Sequence, residues 1–373
     1  MKCRNGGLIV DLKPKKILVI DLAFIGDVIL ATPVMRALKE AWPEASIVML
    51  TVPLTKDVAA MDPFVDEVMV YDKRGEHKGL PGMLRMAGRL RKRQFDLAVC
   101  MNFAVRGAAV AWLAGIPQRL GYDAQHAGLF LNHTASAQRE GIKHETLNHL
   151  EVLKPLELFT RNTSLCFRFP AEAEASLAQK KQELGIPERG YLVLCPFGSY
   201  ERKNLPEHKA VGLIRRLMEE SSTAGILEEA GVPAADAWLD IYLIGGPREE
   251  TGLRKIADGA GLERSHVLAG SLSLPELAVF LRDAACLVTV DTGPQHIAQA
   301  AGCPTIALFG PTDPVIWGPR GEHDIVLYDK PDCSPCWGKG ECPQPGGCIA
   351  KLENEEIIKA VNWIRGKGTN QHV

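Results

Sequence analysis

Residues 16–40 read KILVIDLAFIGDVILATPVMRALKE. Lys16 to Leu22 is a short run of β-favouring residues. From Asp27 to Glu40, Val28, Leu30, Val34 and Leu38 recur at helical spacing, and Pro43 stops the pattern. A strand that turns directly into a helix is half of a βα unit. The alternation continues with strands at Ser46–Val52 and Val65–Asp72, a basic helix over 80–93, and a strand at Phe95–Met101. A helix over Ala104–Ala114 and the segment Gln118–Asp123 follow. Such alternation predicts a parallel sheet with helices on both faces.

A chain of 373 residues is too long for one compact core and fits two domains. A helical stretch over Lys143–Leu158 leads out of the first half, and 159–170 with the helix Ala171–Leu184 forms the connecting region. The alternation restarts at Tyr191. Strands are predicted at Leu192–Phe197, Asp240–Gly246, His266–Gly270, Cys286–Asp291 and Thr305–Gly310, with helices at 206–221, 248–260, 275–283 and 294–301. The predicted division is a Rossmann-like domain over 1–165, a second over 166–353, and a C-terminal helix and tail over 354–373 packing back toward the first domain. The expected fold class is therefore α/β, with two parallel sheets facing a central cleft. Ligands bind such sheets at the carboxyl ends of the strands.

Composition narrows the function. A formal charge of −2 gives no global reason to expect nucleic acid as a partner. The start has no apolar run of signal-peptide length, and the most apolar stretch, 108–116, is about half the ~20 residues of a membrane span. The expected location is cytoplasmic.

Three strand-to-helix turns carry residues suited to chemistry. In the first, Asp21 to Asp27, backbone N–H groups and the helix dipole point outward, and Gly26 permits a tight turn. Asp27 at the helix start is either a cap or a functional carboxylate. The turn lacks G-x-G-x-x-G, so a nicotinamide dinucleotide site is unsupported. In the second, Pro196 to Pro206, Ser199 offers a hydroxyl and Lys203 a point charge suited to phosphate, without the Walker pattern. In the third, Val290-DTGPQHIAQAA-Gly302, a buried strand ends at Asp291, Thr292 and Gly293 and a helix begins at Pro294. Free N–H groups there suit an anion or a sugar hydroxyl. His296 lies just inside that helix. No G-x-S-x-G or H-E-x-x-H is present.

Taken together, these turns resemble glycosyltransferase family 9, the bacterial heptosyltransferases of lipopolysaccharide assembly. The likeness runs from Ile17 to about Ile364, through IGDVILATPVMRALKEAWPEA, GIPQRLGYD, KHETLNHLEVL and VDTGPQHIAQAAGCPTIALFGPTDP. It implies a GT-B fold and inverting transfer from ADP-heptose to a lipid-linked lipopolysaccharide core acceptor. By position, Asp27 is the implied general base. Ser199 and Lys203 are implied ligands of the donor phosphates, Asp291, Thr292 and Gly293 hold the sugar and diphosphate, and His296 extends that site. Glu249 or Glu250 is the implied nucleoside contact. Gly26, Arg106 and His144 fall on the acceptor side. Where relatives often carry an arginine after the GYD segment, Gln125 and His126 stand instead. The resemblance implies no cofactor and no metal requirement, and no D-x-D pair stands in the donor-side turns.

Two features lie outside that reading. Cys333, Cys336, Cys342 and Cys348 sit in a Gly- and Pro-rich loop where four soft ligands could hold zinc, but only the first pair has a usual zinc spacing. The basic helix residues Arg85, Arg89, Arg91, Lys92 and Arg93 are either a solvated face or a contact for the anionic inner face of the inner membrane. A nucleotide-sugar epimerase or another sugar transferase of the same architecture is the competing function.

Overall fold

The computed structural model describes residues 12–138, 141–229, 240–344 and 347–368. Cys3 and the start of the predicted first domain lie outside them. The chain divides into two compact units, Met1–Arg168 and Phe169–Val373.

The first unit runs β1 (Lys16–Ile20), α1 (Ile25–Leu30), α2 (Thr32–Ala41), β2 (Ser46–Thr51), α3 (Lys56–Met61), β3 (Glu67–Val70), α4 (Gly79–Arg93), β4 (Leu97–Cys100), α5 (Val105–Leu113), β5 (Gln118–Asp123), β6 (His133–Ser136) and α6 (Glu145–Leu150). A 3-10 turn, Glu151–Leu156, continues α6. The six strands lie in the order β3-β2-β1-β4-β5-β6, and every pair is parallel. Leu18, Ile20, Leu50, Ala98 and Cys100 from the sheet pack with Leu90 of α4 and Val110 of α5 in one core.

The second unit runs α7 (Ala171–Leu184), β7 (Leu192–Cys195), α8 (Glu207–Glu229), β8 (Ile241–Leu243), α9 (Glu250–Ala260), α10 (Leu274–Asp283), β9 (Cys286–Val290), α11 (Gly293–Ala301), β10 (Thr305–Phe309), α12 (Pro314–Trp317), β11 (Ile325–Tyr328) and α13 (Asn354–Gly368). Its sheet has the order β11-β10-β9-β7-β8, again parallel throughout. β7, β9 and β10 are buried along their whole length and read as largely apolar runs, as parallel strands covered by helices should.

The local differences from the sequence reading have physical causes. The helix expected over 27–40 breaks at Ala31 because Pro33, near the start of α2, has no N–H to continue the ladder. β4 begins two residues late because the Asp96 carboxylate accepts the amides of Lys15 at 2.7 Å and Lys16 at 2.9 Å. The strand expected at 266–270 is a single bridge, Leu243 to Val267, since Gly270 turns the chain at φ +63°. α13 contributes to the core of the second unit. Ile357, Ile358, Val361 and Ile364 lie in the second core, and α13 packs on α8, β10 and β11.

Candidate active site

In each sheet the strand order reverses beside the first strand of the unit, which opens a crevice at the carboxyl ends there. In the first unit that point lies between β1 and β4. Asn102, just after β4, joins the two strand ends. Its Oδ1 accepts the Leu22 amide at 2.7 Å, and its Nδ2 donates to Asp21 Oδ1 at 3.0 Å. Asp21 Oδ1 also accepts the Ala23 amide at 3.1 Å. Asp21 is fully buried, and burial, joined by the nearby Asp27 charge, pushes its carboxyl above the ordinary carboxylate range.

Asp27 is a helix cap that also faces a cavity. Its Oδ2 accepts the amide of Phe24, the N-cap of α1, at 3.2 Å. It also borders a cavity of about 180 Å³ with Asn102, Tyr122, Glu145, Asn148 and His149. The Tyr122 hydroxyl donates to the Asn148 carbonyl at 2.7 Å, which fixes α6 against β5. Glu145 and His149 are one turn apart on α6 and share its inner face. One ring nitrogen of His149 and one carboxylate oxygen each of Asp27 and Glu145 lie within 4.8 Å of one another.

The other residues expected on the acceptor side, Gly26, Arg106 and His144, do not line this cavity. Gly26 lies inside α1, so it serves a helix rather than a tight turn. Arg106 donates to the Tyr71 hydroxyl at 3.3 Å. His144 is 4% exposed and caps α6, its Nδ1 accepting the Thr146 amide at 3.3 Å.

In the second unit the strand order reverses between β7 and β9, and the turns after those two strands meet. The Lys203 ammonium donates to Asp291 Oδ2 at 2.7 Å and to the Asp291 carbonyl at 3.2 Å. It also stands 5.2 Å from the centre of the Tyr200 ring. The turn is held by Asn204, whose Oδ1 accepts the Gly198 amide at 2.8 Å. A Cβ at Gly198 would stand 2.6 Å from Lys203 Cβ, so a side chain there would push the lysine away. Ser199 beside it is exposed.

α11 starts at Gly293 with Thr292 as its N-cap, and the Thr292 hydroxyl makes no capping bond. The first N–H groups of the helix and that hydroxyl are thus disposed for an anionic or hydroxylated ligand. His296 is 4% exposed, its ring 6.4 Å from that of Trp317. Of the two glutamates left open, Glu250 pairs with Arg254 at 2.7 Å, while Glu249 Oε2 accepts the Gly246 amide at 2.6 Å in the turn after β8. Nearby, burial raises the Cys195 thiol to about 12, which leaves it inert as a nucleophile.

Cys333, Cys336, Cys342 and Cys348 are free thiols that line a separate cavity of about 140 Å³ with Arg202 and Lys339. Among the described residues, no three of those sulfurs come within 4.8 Å of one another.

Sequence reasoning missed the company of Asp27 in the first unit. Asn102, Tyr122 and Asn148 come from separate segments and carry no joint signal. The i, i+4 spacing of Glu145 and His149 within KHETLNHLEVL was the available clue.

The model of glycosyltransferase family 9 (heptosyltransferase) matches residues 83–225 and 233–345. Lipopolysaccharide heptosyltransferase 3 of Escherichia coli K12 is 25% identical over 316 residues, which span 82% of this chain and 86% of that protein. Lipopolysaccharide heptosyltransferase 2 of the same strain is 22% identical over 322 residues, spanning 84% of this chain and 87% of the relative. Among solved structures, a family 9 glycosyl transferase from Veillonella parvula superposes with a TM-score of 0.79 at 22% identity, covering 96% of this chain and 99% of its own. E. coli ADP-heptose lps heptosyltransferase II gives 0.74 at 18% identity, covering 95% and 99%. The fold is therefore that of the GT-B heptosyltransferases, and the chain belongs to glycosyltransferase family 9 and is a glycosyltransferase.

Proposed function

We propose that this protein transfers a heptose from ADP-heptose to a core sugar of lipopolysaccharide, with inversion at the anomeric carbon. The relatives that share most of its length are lipopolysaccharide heptosyltransferases, and a structural neighbour, E. coli heptosyltransferase WaaC, was solved with ADP-2-deoxy-2-fluoro heptose. The observation that carries the reading is the place of Asp27, a carboxylate on a cavity bordered by hydrogen-bonding side chains at the switch point of the first sheet.

In this reading an acceptor hydroxyl attacks the anomeric carbon as the bond from that carbon to the diphosphate breaks. The electron pair leaves on the ADP oxygen, and the acceptor proton passes to Asp27. Lys203, the Thr292 hydroxyl and the first N–H groups of α11 stabilise the departing diphosphate. Ser199, Asp291 and Gly293 border the same donor site, His296 extends it, and Glu249 takes the nucleoside. Gly26, Arg106 and His144 shape the acceptor side through the elements they hold.

The acceptor is lipid-linked, and the enzyme works at the cytoplasmic face of the inner membrane as a peripheral protein. Among the described residues, no helix is long and apolar enough to cross a membrane. The outer face of α4 offers Leu80, Leu84, Arg85 and Lys92 to an anionic surface.

The experiment is a panel of nucleotide sugars scored for diphosphate release with and without core acceptors. Acceptor-dependent ADP release from ADP-heptose supports the reading. Turnover of a donor alone would favour an epimerase instead.

A further inference from the structure

The cavity beside Asp27 draws together ligand atoms from two helices. Asp27 comes from α1, and Glu145 and His149 stand one turn apart on α6. One oxygen of each carboxylate and one ring nitrogen of the histidine lie within 4.8 Å of one another. An ion bonded at about 2.2 Å keeps its ligand atoms within about 4.4 Å of one another, close to the spread these three already show.

Two buried polar atoms on the same wall are left without partners. His149 is 6% exposed and its Nε2 makes no hydrogen bond; Asn148 is also 6% exposed and its Oδ1 makes none. Both residues line the cavity. A buried polar atom without a partner is costly, and an ion or its bound water satisfies one. The two carboxylates are themselves held by hydrogen bonds, as metal ligands usually are. Asp27 Oδ2 accepts the Phe24 amide at 3.2 Å, and Glu145 Oε2 accepts from Asn148 Nδ2 at 3.0 Å. Each carboxylate keeps further lone pairs for an ion. The cavity, about 180 Å³, has room for an ion and several waters of about 30 Å³ each.

The surrounding charges leave the position open to a cation. Glu151, on the same wall, is paired with Lys143 at 2.7 Å and Lys154 at 3.1 Å. Arg36, Lys73 and Arg106 hold neutral partners and stay charged, but none of the three lines the cavity.

We propose that Asp27, Glu145 and His149 bind one divalent cation of the Mn²⁺ class. Two carboxylates balance its charge, and two hard oxygens with one imidazole suit Mn²⁺ better than a soft, thiol-seeking ion. An ion there draws on the Asp27 carboxylate, the group proposed to take the acceptor proton. Ion binding and transfer therefore compete, and that consequence alone rests on Asp27 being the base.

The test is Mn²⁺ titrated into the full chain, freed of chelator and without nucleotide or acceptor, followed by electron paramagnetic resonance. One Mn²⁺ per chain should bind, and its echo envelope should carry the modulation of a ligating nitrogen. Glu145→Gln and His149→Ala should each weaken binding by at least about tenfold, and His149→Ala should lose the nitrogen modulation. Cys333→Ser with Cys336→Ser alters only thiols of the separate cavity and should bind as the parent does. No bound Mn²⁺ in the parent, or binding that neither cavity variant weakens, overturns the proposal. If His149→Ala does not fold, Glu145→Gln and the parent's nitrogen signal decide. A second arm adds Mn²⁺ to the assay with ADP-heptose and core acceptor, where it should slow transfer and yield to excess acceptor. Binding by these criteria without slowing supports the site and counts against Asp27 as base, whereas failure to bind overturns the site and leaves that base standing.

Discussion

The Lys203 ammonium lies 2.7 Å from the Asp291 carboxylate, an ion pair that ties the turn after β7 to the turn after β9. The two side chains are only 12% and 7% exposed. A donor diphosphate entering there would share or replace the carboxylate as the partner of the lysine. Lys203→Ala should therefore weaken ADP binding by about 10–100-fold, the range of a lost charge-assisted contact. Calorimetric titration with ADP measures this, and an unchanged Kd would take Lys203 out of the donor site.

Gly198→Ala probes the same turn without removing a charge. The added methyl would meet Lys203 Cβ at 2.6 Å, and that atom is too near the backbone to swing aside. Donor affinity should fall while the melting temperature changes by no more than a few degrees. A variant that binds ADP as tightly as its parent would show that the position of Lys203 is not critical.

Stability should depend on pH through Asp62. Burial pushes its carboxyl up to about 7, against about 3.9 in an unfolded chain. Between those values the folded chain binds more protons than the unfolded one. The stabilisation is thus complete below about pH 4 and is lost as pH rises through about 7. Asp62→Asn keeps an oxygen for the Phe64 amide, now 2.9 Å away, and removes the titration. Melting curves at pH 5 and pH 8 should show the parent losing ground to the variant at the higher pH. At about 2–4 °C per kcal/mol the difference is easily measured, and parallel behaviour at both pH values would contradict the assignment.

The basic helix makes a separate prediction about membranes. Arg89 is paired with Glu76, and Arg93 with Glu67. Arg91 donates to the neutral Leu113 carbonyl and keeps its charge, so the charge that could meet a membrane rests on Arg85, Arg91 and Lys92. Lys92→Glu combined with Arg85→Glu should reduce co-sedimentation with anionic vesicles, and the parent's binding should weaken as salt is raised. Equal binding by parent and variant would leave α4 as a solvated face.

The parallel βα framework was legible because buried strands such as Ile17–Ile20 and Cys286–Val290 are continuous apolar runs. The edge strands were not. His133–Ser136, with the sequence HTAS, has no apolar pattern, and its place is set by pairing with β5. The turns bearing Asp27, Lys203 and Asp291 were readable because each follows a strand and leads into a helical segment. The charge environment of Asp27 was not, since it depends on Asp21, Asn102, Glu145 and His149 converging from segments far apart in sequence. The core that α13 joins was not legible for a related reason. Its apolar stripe fits any open core, and tertiary packing alone selects the second.

The most direct test of the account is the turnover of Asp27→Asn with ADP-heptose and a core acceptor, measured beside its affinity for ADP. The amide preserves shape and removes the proton acceptor. Turnover should fall by about 10²–10⁴-fold while ADP binds with the parent's Kd. Transfer at a near-normal rate would contradict the assignment of Asp27 as the base.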